Sequence, residues 1–142
     1  MSFPGIVSGI LLGSAVFQSS ILAHEVEVSQ DVAATFHLEP NHNPKAGEPA
    51  QVWFALTRRG GAIIPLSQCN CQLRVYAEPK TTDTKPLLTP SLKPISAEKY
   101  QGIPGATVTF PRTGRYTLEI SGKPKGEISF KPFEFTYSVT VR

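Results

Sequence analysis

The chain has 142 residues, of which 40% are hydrophobic and 18% charged, and its formal net charge is +3. This length and composition fit one small globular domain with a modest core and leave little room for a second domain. The 14 Lys and Arg residues are scattered and form no basic run, so we predict no nucleic-acid partner.

The first 23 residues differ from the rest of the chain. Residues 3–23 contain no charged side chain, and Ile21, Leu22 and Ala23 approximate a small-residue cleavage site before a polar segment. We interpret residues 1–23 as a signal peptide or an uncleaved membrane anchor, because 21 uncharged residues can also span a bilayer. Several glycines and serines lower the hydrophobicity and favour cleavage. Residues 24–142 are then a single domain in the periplasm or an equivalent extracytoplasmic lumen.

Short runs of alternating apolar and polar residues, separated by proline and glycine, continue along the rest of the chain. The runs lie at 26–28, 32–39, 51–58, 69–76, 106–110, 115–120 and 133–141, with a weaker one at 92–95. No segment keeps a helical period over ten residues. This pattern predicts an all-β fold, an antiparallel immunoglobulin-like β-sandwich of about seven strands. Residues 77–105 are rich in proline and predict a long loop with one poorly defined strand.

All three histidines fall within nineteen residues of one another, at His24, His37 and His42. Cleavage after Ala23 would make His24 the first residue and offer its α-amine and imidazole to one metal ion. Copper(II) favours such nitrogen-rich sites. The alternative is that His24 frays in solvent, while His37 and His42 are ordinary exposed residues on a strand and a loop. Three nearby carboxylates could complete a copper(II) site: Glu25, Asp31 and Glu39.

Cys69 and Cys71 are the only cysteines, and they share one face of a predicted strand. On a regular strand, residues two apart have Cα atoms about 6.5 Å apart. A disulfide needs Cβ atoms about 3.5–4.5 Å apart, so a local bridge would need a bulge or a turn. The alternatives are buried or locally bridged structural cysteines, a copper(I) pair of thiolates, or a redox-exchange site.

Catalytic motifs are missing from the sequence. It contains no Gly-x-Ser-x-Gly, His-Glu-x-x-His, glycine-rich phosphate loop or Cys-x-x-Cys. We therefore predict that the protein is not an enzyme. A histidine-brace oxidase built on His24 is the one catalytic alternative, and the chain is small for it.

Residues 37–79 and 103–122 together resemble the YtkA-like and FixH-like group of exported immunoglobulin-type domains and, more loosely, the CopC-type copper carriers. The features that carry the resemblance are P-x-x-G-E-P at residues 44–49, a glycine-rich turn, and G-R-Y-T-L at residues 114–118. The resemblance implies a sandwich associated with copper handling or respiratory-oxidase assembly.

These observations lead to two hypotheses of different class. The first is a non-catalytic extracytoplasmic copper-binding or carrier protein that serves a copper-accepting protein or a membrane protein complex. Its ligands would be His24 and His37, with His42 as an auxiliary and Cys69 with Cys71 as a copper(I) pair. The second is a metal-free structural or assembly module that docks onto a membrane protein complex through its strand edges and residues 77–105.

Overall fold

The computed structural model describes Ser2, Gly5 and residues 26–142. His24 and Glu25 therefore lie outside the described residues. The predicted signal peptide or membrane anchor at residues 1–23 lies outside them except for Ser2 and Gly5. Among the described residues, no helix is long and apolar enough to cross a membrane.

Residues 26–142 form eight strands and one short 3-10 helix. The strands are β1 (Val26–Ser29), β2 (Val32–Leu38), β3 (Pro49–Arg58), β4 (Cys69–Ala77), β5 (Lys93–Ala97), β6 (Tyr100–Thr109), β7 (Gly114–Pro124) and β8 (Phe133–Val141), and the 3-10 helix (Leu66–Gln68) precedes β4. Every strand pairing is antiparallel.

The strands form two sheets that pack face to face. One sheet has five strands in the order β1-β2-β3-β6-β5, and the other has three in the order β4-β7-β8. The prediction of an all-β, immunoglobulin-like antiparallel sandwich is confirmed, with one strand more than the seven expected.

The core fills the space between the two sheets. Alternate residues of β8 are buried along its whole length, as expected for a strand with one face on a core and one in solvent. Phe36 of β2 stacks on Tyr137 of β8 with ring centroids 4.3 Å apart, and Phe36 also contacts Phe54 of β3 at 5.5 Å. These aromatic contacts join the sheets in a chain that has no disulfide between them.

The prediction of a long loop over residues 77–105 is only partly right. β4 continues to Ala77, and β6 begins at Tyr100, six residues before the expected start at 106. Pro104 and the glycines beside it hide this strand in the sequence, because both residue types are rare inside strands. Pro104 is tolerated because it lies outside the pairing of β3 with β6, which ends at Gly105. On its other side Pro104 lies opposite Pro94 of β5.

The remaining loop, residues 78–92, is pinned to β4. The Val75 N–H donates to the Leu88 carbonyl at 2.9 Å, and the Leu87 N–H donates to the Val75 carbonyl at 2.7 Å. Part of this loop therefore covers the open edge of the three-stranded sheet.

Glu78 ties the end of β4 to β7 and β8. Its carboxylate accepts hydrogen bonds from the Ser138 hydroxyl at 2.7 Å and the Thr117 hydroxyl at 3.0 Å, and its second oxygen lies 3.2 Å from Nε of Arg115. The Ser138 hydrogen bond is the largest cause of a lowered pKa for Glu78. The Thr117 hydrogen bond and the Arg115 charge lower this pKa further, against an opposing effect of desolvation.

Tyr116 fixes the turn before β7. Its buried hydroxyl donates to the Arg112 carbonyl at 2.7 Å and accepts from the Arg112 N–H at 3.2 Å. A tyrosine that bonds backbone a few residues upstream is a recurring feature of immunoglobulin-like sandwiches.

Candidate metal site on the outer face of the five-stranded sheet

His37 lies near the end of β2 and points away from the core. Its neighbours Phe36 and Leu38 are buried between the sheets, so the alternation of the strand turns His37 to the outer face. In the β2–β3 pairing His37 lies directly opposite Trp53. The two rings stack with centroids 5.0 Å apart and an interplanar angle of 24°. His37 is thus held against the one indole of the chain.

The turn after β2 brings a second imidazole beside the first. The His42 N–H donates to the Leu38 carbonyl at 2.7 Å, and His42 takes a left-handed backbone conformation with φ of 55°. The His42 ring meets His37 edge-on at 5.1 Å and Phe36 at 5.5 Å. This exposed turn therefore places two imidazoles side by side at the end of β2.

A carboxylate completes the group. Oε1 of Glu39 lies 3.6 Å from Nε2 of His37. The Glu39 side chain is 59% exposed and the His37 side chain is 19% exposed. The Glu39 N–H donates to the Gln51 carbonyl at 2.8 Å, which extends the β2–β3 ladder by one residue. The negative charge of Glu39 beside the imidazole would attract a metal cation to this position.

A small apolar cluster on the outer face fixes Trp53. Trp53, at 4% exposure, is buried together with Ala55 and Ile103. Tyr100 flanks the indole with ring centroids 6.0 Å apart, and Ile95 is among the partly buried side chains that pack around the cluster. The indole is therefore packed beside His37 on its β3 side.

Gly105 makes this packing feasible. It lies opposite Trp53 in the β3–β6 pairing. A Cβ atom at Gly105 would come within 2.6 Å of the Ile95 side chain, well inside van der Waals contact. Ile95 occupies the space that any larger residue here would need.

The structure brings together only some of the residues that the sequence suggested. His37, His42 and Glu39 are neighbours, whereas Asp31 lies at the opposite end of β2, about 20 Å away along the strand. The Asp31 carboxylate instead accepts a hydrogen bond from the Lys131 N–H at 2.8 Å. Among residues 26–142, no three His, Cys, Asp or Glu side chains are grouped closely enough to hold a metal ion by themselves.

The two cysteines lie on the other sheet and are joined by a disulfide. Their Cα atoms are 5.2 Å apart, closer than the roughly 6.5 Å of a regular strand. Of the alternatives raised by the sequence, a local bridge is the one that the structure contains. An oxidised pair offers no thiolate, so the copper(I) prediction for Cys69 and Cys71 concerns the reduced chain and stays a prediction.

Trp53 is the site residue that the sequence did not identify. In the alternating runs at 32–39 and 51–58, His37 falls on the face opposite to Phe36, and Trp53 on the face opposite to Val52 and Phe54. Only the pairing register, which depends on the whole β2–β3 ladder, places one directly opposite the other.

Comparison with known proteins shows similarity of fold without similarity of sequence. No family model matches the chain, and no curated protein matches it. FetP of uropathogenic Escherichia coli, expressed recombinantly in the periplasm, is 15% identical with a TM-score of 0.56, over 83% of this chain and 93% of FetP. A copper-bound variant of FetP is 13% identical with a TM-score of 0.58, over 84% of this chain and 95% of that one.

A third solved structure comes from Pseudomonas aeruginosa and belongs to a family of unassigned function. It is 10% identical with a TM-score of 0.52, over 83% of this chain and 98% of that one. At these identities the likeness concerns the sandwich fold alone. The resemblance to YtkA-like and FixH-like domains stays a prediction.

Proposed function

We propose that the chain is a non-catalytic extracytoplasmic copper-binding protein whose copper(II) site combines His37 and His42 with the N-terminal His24. The observation that carries the proposal is the pair of imidazoles, 5.1 Å apart, at the end of β2 with Glu39 beside them. The copper-bound FetP variant, which has a similar fold, supports the metal.

The strand register supports a contribution from His24. β1 pairs with β2 so that Val26 lies opposite Thr35. His24 precedes Val26 by two residues, and His37 follows Thr35 by two. The chain therefore enters the sheet at the His37 end of β2. A chain cleaved after Ala23 would deliver an α-amine and an imidazole to that end, and these are the ligands that the described residues lack.

The donor atoms favour copper(II) over copper(I). Imidazole nitrogens and a carboxylate oxygen suit copper(II), whereas copper(I) prefers thiolate and thioether sulfur. Both cysteines are in a disulfide, and Met1 is the only methionine in the chain. Copper(II) also binds a given set of nitrogen and oxygen ligands more tightly than zinc.

Trp53 provides a direct test. It is the only tryptophan, and its ring lies 5.0 Å from that of His37, so copper(II) bound at His37 should quench its fluorescence. We would titrate copper(II) into a chain that begins at His24 and, in parallel, record native mass spectra. We expect one retained copper with quenching. His37→Ala should weaken binding at least tenfold, since a metal ligand is lost.

Two controls separate ligand loss from general damage. Thr35→Ala changes another outward-facing residue of β2, two positions from His37, and should leave binding unchanged. One extra glycine before His24 moves the α-amine away from the imidazole and should lower the affinity. Wild-type binding by His37→Ala, or no binding of copper(II) by the chain that begins at His24, would refute the proposal.

The metal-free docking module keeps one observation in its favour. Leu87, in the loop over residues 78–92, is 48% exposed although the residues around it are pinned to β4. Under this hypothesis the partner protein covers Leu87. Leu87→Ser should reduce recovery of a membrane complex under this hypothesis and leave it unchanged under the copper hypothesis. Affinity purification of both forms distinguishes the two.

A further inference from the structure

The two cysteines of the disulfide differ in exposure. Cys69 is 4% exposed and belongs to the main core, whereas Cys71 is only partly buried and packs against the core from outside. Cys71 lies opposite Gly122 in the β4–β7 pairing. A Cβ at Gly122 would lie 2.7 Å from Sγ of Cys69 and 2.6 Å from the Phe133 ring. The glycine therefore leaves room for the disulfide of β4 over the neighbouring strand β7, beside the Phe133 ring.

The position of the disulfide in the chain gives it little structural role. It encloses a single residue, Asn70, whereas the stabilisation from a disulfide grows with the length of the loop that it closes. β4 is already paired with β7 along its whole length, from Cys69 to Ala77. Opening the bond leaves that ladder and the core in place.

Cys71 lines two surface grooves. One has a volume of about 600 Å³ and is also lined by Lys123 and Phe133. The second, of about 310 Å³, is formed by β4 and residues 89–92. In the β4–β7 pairing Lys123 lies opposite Asn70, so Lys123 is on the outer face of the sheet, whereas Cys71 shares the core-facing side with Leu73. The second groove, at the edge of β4, is therefore the route by which solvent reaches Cys71.

We propose that the Cys69–Cys71 disulfide is an exchangeable redox site, attacked at Sγ of Cys71 by a thiolate that enters through the groove between β4 and residues 89–92. The incoming sulfur bonds to Sγ of Cys71, the S–S bond breaks, and Cys69 leaves with the electron pair and takes up a proton. A second thiol then attacks the mixed disulfide and releases Cys71 as a thiol. In sum, two thiols lose two electrons and two protons and become a disulfide, while the protein gains a dithiol.

This inference does not depend on the copper proposal, because the disulfide lies on the three-stranded sheet and the imidazoles lie on the other. The substrate class is a thiol, either a small molecule or a cysteine on a partner protein.

The test uses the oxidised, folded protein with two probes, glutathione and a short peptide that contains one cysteine. After acid quenching and alkylation, mass spectrometry locates the mixed disulfide. We expect it on Cys71 in at least tenfold excess over Cys69, with the circular dichroism of the sandwich unchanged. Faster reaction with the peptide identifies a protein thiol as the substrate, and faster reaction with glutathione identifies a small one.

Variants give independent measurements. In Cys69→Ser the remaining thiol should be alkylated at least tenfold faster than in Cys71→Ser. The proposal is overturned by reduction that occurs only at the rate of global unfolding, by mixed disulfide mainly on Cys69, or by equal alkylation rates in the two cysteine variants.

Discussion

Replacing Gly105 with alanine tests whether the outer-face cluster holds Trp53 in position. Gly105 lies opposite Trp53 on one side and Lys93 on the other. An added Cβ would lie 2.6, 2.8 and 2.9 Å from three side-chain atoms of Ile95. Favourable carbon contacts begin near 3.5 Å, so a rotation of one terminal methyl cannot relieve all three overlaps. Either the whole Ile95 side chain or β5 must shift.

The expected loss of stability follows from two opposing effects. Overpacking costs about 1–3 kcal/mol, and replacing a glycine restricts the unfolded chain and restores about 0.4–1 kcal/mol. We expect Gly105→Ala to lower the free energy of unfolding by about 1–2 kcal/mol. Ile95→Ala should cost roughly 1 kcal/mol, below the range for fully buried residues, since Ile95 is only partly buried.

A double-mutant cycle isolates the contact. Gly105→Ala combined with Ile95→Ala removes the overlap, so the double variant should be more stable than the sum of the two single losses by about 1 kcal/mol or more. Urea unfolding followed by Trp53 fluorescence measures all four proteins, and the native emission of Gly105→Ala reports a displaced indole. Additive losses would refute the reasoning, because they would mean that the two side chains do not compete for one space.

Three further substitutions test other contacts. Tyr116→Phe removes the hydroxyl that bonds both backbone groups of Arg112 and should cost about 1–3 kcal/mol in urea unfolding. The lowered pKa of Glu78 stabilises the fold above the ordinary value of 4.5, and this stabilisation is lost as the pH falls through the folded-state pKa. Glu78→Gln should therefore be less stable at neutral pH and lose less stability in acid, measured as unfolding free energy against pH. Gly122→Ala overlaps Sγ of Cys69 and should lower stability by about 1–3 kcal/mol, with partial recovery in a Cys69→Ala background.

The fold could be predicted where each strand has one buried and one solvated face. β2 and β8 alternate along their whole length, and both were expected within a residue or two of their observed bounds. The first half of β6 was missed, because Gly102, Pro104 and Gly105 remove the strand signal. Pairing with β5 and packing on Trp53 decide this segment, and neither can be read from the local sequence.

The sites could be predicted only one residue at a time. The sequence indicated that His37 and His42 lie close together along the chain and that His37 faces outward. It could not indicate that the turn after β2 folds back and places the His42 ring edge-on to the His37 ring. For Cys69 and Cys71, strand spacing argued against a bond. The bond joins two residues whose Cα atoms are 5.2 Å apart, closer than in a regular strand, at the start of β4 directly after the 3-10 helix.

The separation of the two sites has a chemical consequence. Copper(II) readily accepts electrons from thiolates, so a reactive dithiol beside a copper(II) site would be consumed by it. Here the imidazoles are on β2 and the turn that follows, and the disulfide is on β4 of the opposite sheet. If both proposals hold, each chemistry is expected to operate without the other. We expect Cys69→Ser to leave copper quenching of Trp53 unchanged and His37→Ala to leave thiol attack on Cys71 unchanged. A change in either experiment would show that the two sheets are coupled through the aromatic core that joins them.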